Sequence, residues 1–185
     1  MNTISQCVTV IRTLFDEAER RGILLWLENG WAIDARLGSI TREHEDIDIA
    51  FASDKKAAYR ELLATMGFNR HEVTDYGFLS RHNGLLLDSE PCFETNGEYG
   101  FENFPGGSCP IEKQGVIEGY NVRCVSWEAM YFEFLGYLDE IPREQWREKD
   151  FQSLRLIEAH LNQDQKQLLK DLHTRTIYVM DDTRC

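Results

Sequence analysis

Two aspartates separated by a single residue, Asp46 and Asp48, are residues whose types and spacing suggest chemistry. They lie in the segment DIDIAF (46–51), whose polar and apolar residues alternate at first, which predicts a strand. Residues two apart on a strand point to the same side, so both carboxylates would project together. Such neighbours repel each other unless a cation lies between them, and Mg²⁺ prefers oxygen ligands. The pair therefore predicts a magnesium site completed by substrate phosphates; two solvated acids on a strand face are the alternative.

The Asn29-Gly30 dipeptide lies upstream, between a predicted buried strand (23–28) and a predicted helix (31–38). Glycine at such a turn lets the backbone approach a ligand closely, and the following helix offers free N–H groups to phosphate oxygens. Taken alone, Asn-Gly also forms ordinary turns. Followed by the strand that carries the two aspartates, it becomes a candidate phosphate-binding turn.

A third carboxylate, Asp88, lies in the apolar segment GLLLDSE. Strand alternation places Asp88 and Glu90 on one face and Leu85 and Leu87 on the other. If this strand pairs near residues 46–51, Asp88 joins the aspartates, where it could complete a metal site or accept a proton from an attacking hydroxyl. An exposed acid at a strand end is the alternative.

The elements that must position these residues form a mixed pattern followed by an all-helical one. Helices are predicted at 4–22 and 53–67, with Ser53 or Asp54 as the second helix's cap, and strands at 68–73, 76–82 and 84–93, with an Asn83-Gly84 hairpin turn. A long Gly- and Pro-rich loop (94–115) and a hairpin (115–125) follow. After Ser126 only helical patterns occur, with Ser126 and Asn162 as caps. We therefore predict an α+β fold, with an α/β domain at 1–125 and a small C-terminal helical domain at 126–185.

Composition narrows the class of partner. The 185 residues carry a net charge of −12 and are 42% hydrophobic, enough for a buried core. Proteins that grip nucleic acid need a positive surface, so a nucleic-acid partner is not expected. The acidity suits a cationic partner, although it could serve solubility alone.

The five cysteines are scattered and contain no C-x-x-C pair, which favours a reducing cytoplasm over a disulfide framework. The N-terminal segment lacks the pattern of a signal peptide, and the longest apolar run is too short for a bilayer. We expect a cytoplasmic protein without a membrane partner, and a monomer.

The order of these motifs resembles a known family. GWAIDARLG, TREHEDIDI, DYGFL, LLDSEP, GSCP, GVIEGYNVRC and SWEA, which together span about residues 22 to 145, are similar to the aminoglycoside 2''-O-nucleotidyltransferases. Those enzymes belong to the polymerase-β-like nucleotidyltransferase superfamily, which implies a mixed sheet with flanking helices. The lincosamide nucleotidyltransferases are the next resemblance.

The resemblance implies roles for the candidate residues. Asp46 and Asp48 would bind two Mg²⁺ ions and the nucleoside triphosphate, and Asp88 would be the general base, a role compatible with ligating metal. Asn29 and Gly30 would hold the phosphates, with Arg42 and His44 nearby. The reaction would transfer a nucleoside monophosphate, expected to be AMP from ATP, to an aminoglycoside hydroxyl, expected to be 2'', releasing pyrophosphate and giving resistance.

An aminoglycoside carries several ammonium groups, so acidic and aromatic side chains are its candidate contacts. These are Glu90, Tyr76, Tyr137, Asp139 and Glu140. One departure from the family turn is notable, since Glu28-Asn29 stands where glycines, or glycine and serine, are usual. A Glu28 side chain that pointed at the phosphates would weaken nucleotide binding; we expect it instead to leave the phosphate site or to meet the cationic acceptor. Two other functions remain open, a lincosamide nucleotidyltransferase and a non-catalytic nucleotide-binding or toxin–antitoxin partner of the same fold.

Overall fold

A mixed β-sheet lies at the centre of the computed structural model, which describes residues 4–182. The described strands are β1 (Leu25–Leu27), β2 (Ile47–Ala52), β3 (Arg70–Val73), β4 (Phe78–His82), β5 (Leu85–Thr95), β6 (Glu98–Gly100), β7 (Gly115–Ile117) and β8 (Tyr120–Val122). The sheet order is β1-β2-β5-β4-β3, with β6 paired to the end of β5, while β7 and β8 form a separate hairpin. β2 and β5 run parallel, and every other pair is antiparallel.

Six α-helices flank or follow this sheet within the described residues. They are α1 (Ile4–Arg20), α2 (Asn29–Leu37), α3 (Lys56–Thr65), α4 (Trp127–Glu140), α5 (Glu148–Glu158) and α6 (Gln163–Asp182). Short 3₁₀ turns occur at Ser53–Lys55 and Arg143–Gln145. A mixed sheet with flanking helices and C-terminal helices confirms the predicted fold class.

The core follows from the apolar patterning of these elements. The helical stripe of α1 is buried, and β1 is buried at all three residues. β5 alternates, with Leu85, Leu87 and Ser89 inside and the intervening residues partly exposed, as its sequence predicts. Because the apolar residues anchor one face of β5, Asp88 and Glu90 must share the other face.

Two-residue turns set the strand registers. Asn83-Gly84, Asn96-Gly97 and Glu118-Gly119 all have positive φ at both residues, the conformation that a two-residue hairpin of type I′ requires. The first and third confirm the predicted hairpins. The second was not predicted, and it shows that part of the expected 94–115 loop is strand, because β5 continues to Thr95 and pairs with β6.

Two predicted helix starts were wrong. α2 begins at Asn29 rather than at residue 31, so the predicted turn residues form its first turn. Neither Ser53 nor Asp54 caps α3, because both lie in the 3₁₀ turn that precedes Lys56, and no side chain caps the helix. Gly38, with φ +71°, ends α2 in the left-handed conformation as predicted.

The C-terminal helices begin as the sequence predicts. The Ser126 hydroxyl accepts a hydrogen bond from the Ala129 N–H at 3.1 Å, and the Asn162 side chain accepts one from the Gln165 N–H at 2.9 Å. α4 packs against α5 and α6 and contributes to the same apolar core as the sheet. The division into domains at residue 125 stays a prediction.

The cysteines at 7, 92, 109 and 124 are buried and unpaired, while Cys185 lies outside the described residues. Within residues 4–182, none of the helices combines the length and apolarity that a membrane crossing demands.

Candidate active site

The parallel pairing of β2 with β5 brings the three aspartates together. Asp48 and Asp88 are direct partners in this register. Asp46 immediately precedes β2, and its backbone carbonyl accepts a hydrogen bond from the Trp31 indole at 3.0 Å, which ties it to α2. The convergence expected from the two strand patterns is therefore present in the fold.

The charged neighbours that shift the pKa of Asp48 and of Asp88 are other carboxylates. Burial raises the pKa of Asp48 well above its usual value, and the charges of Asp46 and Asp88 raise it further. Burial also raises the pKa of Asp88, although the Tyr76 hydroxyl donates a hydrogen bond to its Oδ2 at 2.8 Å, which opposes the shift. Within residues 4–182, Asp88 Oδ1 is a buried oxygen without a hydrogen-bond partner.

This arrangement fits a magnesium site that substrate completes. Among the described residues, no group of three or more His, Cys, Asp or Glu side chains is placed to hold a metal ion by itself. Mg²⁺ in nucleotide enzymes usually takes one or two carboxylates and fills its shell with phosphate oxygens and water. The orphaned oxygen of Asp88 and the repulsion around Asp48 are what such a cation would relieve.

The first turn of α2 forms the floor of the site. Asn29 adopts a φ of +48°, the left-handed conformation that asparagine tolerates. Its side-chain amide hydrogen-bonds the carboxylates of Asp48 and Glu133. At Gly30, a Cβ would lie 2.5 Å from His44 Nδ1 and 2.6 Å from Arg42 Nη2, so only glycine fits beneath these side chains.

His44 supports the site from behind. Its Nε2 lies 2.6 Å from Asp34 Oδ2, and both side chains are almost fully buried. The other oxygen of Asp34 accepts hydrogen bonds from the Thr41 N–H and hydroxyl. The His44 ring also lies against Trp31, with 4.4 Å between ring centroids. The imidazole thus packs beside Gly30 instead of lining the open cleft.

A cleft of about 240 Å³ opens in front of the aspartates, between α2 and the C-terminal helices. Three basic side chains, Arg42, Arg147 and Lys149, line it together with Asn29, Gly30, Asp46 and Asp48. Lys149 contacts Glu45 at 2.7 Å, and the Arg147 side chain donates two hydrogen bonds to Asp150, each 3.0 Å long. Cations on this side of the aspartates can meet phosphate oxygens.

The opposite side of the aspartates is acidic. A smaller cavity there is lined by Glu28, Glu90 and Glu133 together with apolar and aromatic residues. Burial, with the charges of Glu133 and Asp88, raises the pKa of Glu90 to about 7. Burial also raises the pKa of Glu28, to which Glu90, Glu133 and Asp48 add. Among the described residues that line the two spaces, the basic ones lie in the larger cleft, beside several acids, whereas the charged ones in the smaller cavity are all carboxylates.

The remaining predicted contacts lie in different places. Tyr137 lines the large cleft, with its hydroxyl 3.4 Å from Asp150. Asp139 contacts His173 at 3.0 Å, and Glu140 is an exposed residue at the end of α4. Neither Asp139 nor Glu140 is among the described residues that line the cleft or the acidic cavity.

Sequence reasoning missed Glu133, Arg147 and Lys149. Glu133 lies one helical turn before Tyr137 on α4, so the i, i+4 spacing from an expected contact could have indicated it. The segment REK, two cations at the start of a helix in an acidic chain, was the available signal for the other two. The positions of Arg147 and Lys149 in the cleft depend on the packing of α5 beside α2, which a local sequence pattern does not show.

Comparison with known proteins identifies the family. The family model described as aminoglycoside-2''-adenylyltransferase matches residues 10–152. The chain belongs to this family. It is 39% identical over 163 residues to a 2''-aminoglycoside nucleotidyltransferase from Escherichia coli, covering 88% of this chain and 92% of that one. The predicted family and the predicted enzyme class, a nucleotidyltransferase, are thereby confirmed.

Solved structures of the antibiotic-resistance factor ANT(2'')-Ia share the fold of this family member. A solution structure matches with a TM-score of 0.93 and 35% identity, covering 98% of both chains. A crystal structure of ANT(2'')-Ia in complex with adenylyl-2''-tobramycin matches with a TM-score of 0.87 and 38% identity, covering 92% of this chain and 98% of that one.

Proposed function

We propose that this protein transfers AMP from ATP to the 2'' hydroxyl of an aminoglycoside and thereby confers resistance to the drug. The observation that carries the proposal is the different charge of the two spaces beside the aspartates. Arg42, Arg147 and Lys149 line the larger cleft with Asp46 and Asp48, which suits a triphosphate. The charged residues that line the smaller cavity are glutamates, which suits an ammonium group of a polyamine sugar. The chemistry of ANT(2'')-Ia, which is seen with adenylyl-2''-tobramycin, supports the same acceptor here.

The residues have separate tasks in this reaction. Arg42, Arg147 and Lys149 bind the phosphate oxygens of ATP, and the Glu45 and Asp150 contacts yield as the nucleotide enters. Asn29 and Gly30 present the first turn of α2 to the same phosphates. Positioning and charge stabilisation of this kind account for most of the catalysis in phosphoryl transfer.

Asp88 takes the proton from the acceptor hydroxyl. The freed oxygen attacks the α-phosphorus, a new O–P bond forms, and the bond between the α-phosphorus and the bridging oxygen breaks to release pyrophosphate. Tyr76 holds the Asp88 carboxylate through its Oδ2, leaving Oδ1 available for the proton or for metal. Asp46 and Asp48, with Asp88, would hold two Mg²⁺ ions, which when bound supply neutralising charge for the triphosphate.

Two finer expectations complete the proposal. ATP is the nucleotide we expect to be preferred, and its use fits the cytoplasmic location expected from the cysteines. We expect the catalytic unit to be a monomer, because the basic wall, the aspartates and the acidic cavity all come from one chain.

Purified protein incubated with ATP, Mg²⁺ and a panel of aminoglycosides and lincosamides tests the function by release of pyrophosphate. We expect release with aminoglycosides only, and a product heavier by one AMP unit whose 2'' attachment NMR can establish. Asp48→Asn should reduce the rate by about 10³-fold or more, since it removes a carboxylate that holds the metal and the phosphates. Asp164→Asn, the same change on an exposed part of α6, should leave the rate unaltered.

Three results would contradict the proposal in different ways. Pyrophosphate release with lincosamides alone would indicate the alternative acceptor, which carries a single amine. Nucleotide binding without release for any acceptor would indicate a non-catalytic partner. A wild-type rate in Asp48→Asn would remove the metal-site assignment.

A further inference from the structure

We propose that Glu28 makes the acidic cavity behind the aspartates a specific site for one ammonium group of the acceptor. This inference rests on the proposed function, because the cation is that of the aminoglycoside. It assigns a specificity-determining role to a residue that the phosphate turn would not be expected to contain.

Glu28 is a buried acid with one carboxylate oxygen that none of the described residues hydrogen-bonds. It lies between β1 and α2, where its backbone N–H donates to the Asp48 carbonyl at 3.0 Å. The residue is only 8% exposed, and its Oε1 is a buried oxygen without a hydrogen-bond partner in residues 4–182. An unpaired buried carboxylate is strongly unfavourable, so an ionised group in this position calls for a cation.

The side chain faces the cavity rather than the phosphate cleft. The described residues that line the cavity are Glu28, Glu90, Phe101, Phe104, Val125, Ala129, Met130 and Glu133. None of these lining residues is basic, so no protein cation competes for the space. By contrast, the residues that line the large cleft do not include Glu28. The cavity measures about 50 Å³, a size suited to a single ammonium group rather than to a sugar ring.

The aromatic wall adds to the selectivity for a cation. Phe101 and Phe104 lie edge to face with 5.1 Å between their ring centroids. An ammonium group close to an aromatic face is stabilised by the cation–π interaction, and more strongly when water is excluded. Carboxylates and aromatic faces together favour a protonated amine over a hydroxyl group.

The cavity also lies at a suitable distance from the reacting atoms. Glu90 follows Asp88 by two residues on the same face of β5, about 7 Å along the strand at about 3.3 Å per residue. Glu133 lines both the cavity and the large cleft, so the two spaces share a wall. An acceptor whose hydroxyl reaches Asp88 can therefore place an amino group about one sugar ring away, in the cavity that Glu90 and Glu28 line.

The test compares Glu28→Gln, which keeps the size of the side chain and removes its charge, with wild type. Tobramycin affinity without nucleotide is measured by calorimetry, and the KM values for tobramycin and for ATP are measured in turnover. We expect the tobramycin Kd and KM to rise about tenfold or more, with the KM for ATP unchanged. Glu72→Gln makes the same change of charge on exposed β3 and should leave all three values unaltered.

A set of tobramycin derivatives, each with one amino group replaced by hydroxyl, tests the one-ammonium claim. One derivative should lose affinity for wild type by about tenfold yet bind Glu28→Gln as weakly as tobramycin does. If every derivative loses affinity equally in both proteins, the claim is wrong.

Other outcomes separate this inference from the proposed function. If wild type adenylates tobramycin and Glu28→Gln has the same tobramycin Kd, the inference fails and the function stands. If the KM for ATP falls in Glu28→Gln instead, the carboxylate faces the phosphates and the inference also fails. If wild type neither binds nor adenylates tobramycin, the proposed function itself fails.

Circular dichroism and the Tm of Glu28→Gln show that it is folded, and Glu28→Asp, which keeps the charge, should recover part of the affinity.

Discussion

Acids without counterions characterise this site at the scale of single residues. Glu28 Oε1 and Asp88 Oδ1 are both buried without a hydrogen-bond partner among the described residues, although they belong to different parts of the site. Both acids carry a raised pKa because burial disfavours the charged form. The charged forms of these acids would be stabilised by cations that the ligands bring.

Tyr76 partly offsets the raised pKa of Asp88, which is the general base of the proposed reaction. The tyrosine is 50% exposed, yet its hydroxyl donates to Asp88 at 2.8 Å, which stabilises the carboxylate and lowers its pKa. In Tyr76→Phe we expect the acidic limb of the kcat/KM profile to move to higher pH by roughly half a unit, because an exposed hydrogen bond contributes about 1 kcal/mol or less. A pH–rate profile at saturating Mg²⁺ measures the shift. A limb that stays in place would mean that Asp88 is not the titrating base.

Glu90 should make the stability of the unliganded protein depend on pH. Its pKa in the folded state, about 7, lies above its ordinary value of 4.5, so the folded state keeps this proton longer than the unfolded chain does. The free energy of unfolding therefore falls as pH rises from about 4.5 to about 7. We expect Glu90→Gln to raise the Tm at pH 8 by about 2–4 °C and to change it little at pH 4. An equal change at both values would contradict this origin.

At the scale of elements, α2 and the segment that precedes β2 hold the phosphate site together. Gly30 on α2 lies directly under Arg42 and His44, and the buried contact of His44 with Asp34 closes the segment back onto the helix. Arg42 can move at its flexible end, but the imidazole is fixed by Asp34 and Trp31. The glycine therefore leaves the space that both side chains occupy.

Gly30→Ala tests this support. The new Cβ would displace the His44 ring and the Arg42 guanidinium, so we expect the KM for ATP to rise about tenfold or more. The overpacking should also lower the free energy of unfolding by about 1–3 kcal/mol. Steady-state kinetics and urea unfolding measure the two effects. Gly119→Ala is the control, at a hairpin turn where no atom lies within 4 Å of the added Cβ. It shows the effect of a Gly-to-Ala change on the backbone alone, away from the site. The packing argument would be wrong if both variants kept the wild-type KM.

The elements also show what sequence could predict. Alternation located β2 and β5 and placed Asp88 and Glu90 on one face, because the strand period is a local property. Asn83-Gly84 and the Ser126 cap were predictable for the same reason, since the residue types act on adjacent backbone. The register between β2 and β5 and the approach of Arg147 and Lys149 were not, because both arise from packing between segments distant along the chain. The unpartnered state of Glu28 became visible only once its neighbours were known.

Across the whole molecule, the net charge of −12 is unevenly arranged around the cleft. The cations Arg42, Arg147 and Lys149 line the larger cleft together with several acids, whereas Glu28 and Glu90 line the smaller cavity. An acidic region of this kind attracts a polycation over distance and is screened by salt. The net charge of the protein and the positions of the acids near the cleft thus both favour a polycationic acceptor.

Salt dependence measures this long-range attraction. Raising NaCl from 50 to 500 mM should weaken tobramycin binding by about tenfold or more, since a multiply charged ligand faces several carboxylates. Calorimetry at constant pH gives the Kd values, and lincomycin, with one amine, should show a much smaller change if it binds. Equal Kd values for tobramycin at both salt concentrations would contradict an electrostatic basis for acceptor recognition.

The direct pairing of Asp48 with Asp88 limits how this fold can vary over evolution. Insertion of one residue in β5 before Asp88 would turn that aspartate toward the core and a leucine toward the cleft, whereas the Asn83-Gly84 turn lies outside the paired region. Lineages of this enzyme can therefore lengthen the hairpin connection freely. Within β5 itself, only changes that preserve the alternation of core-facing and cleft-facing residues are compatible with activity.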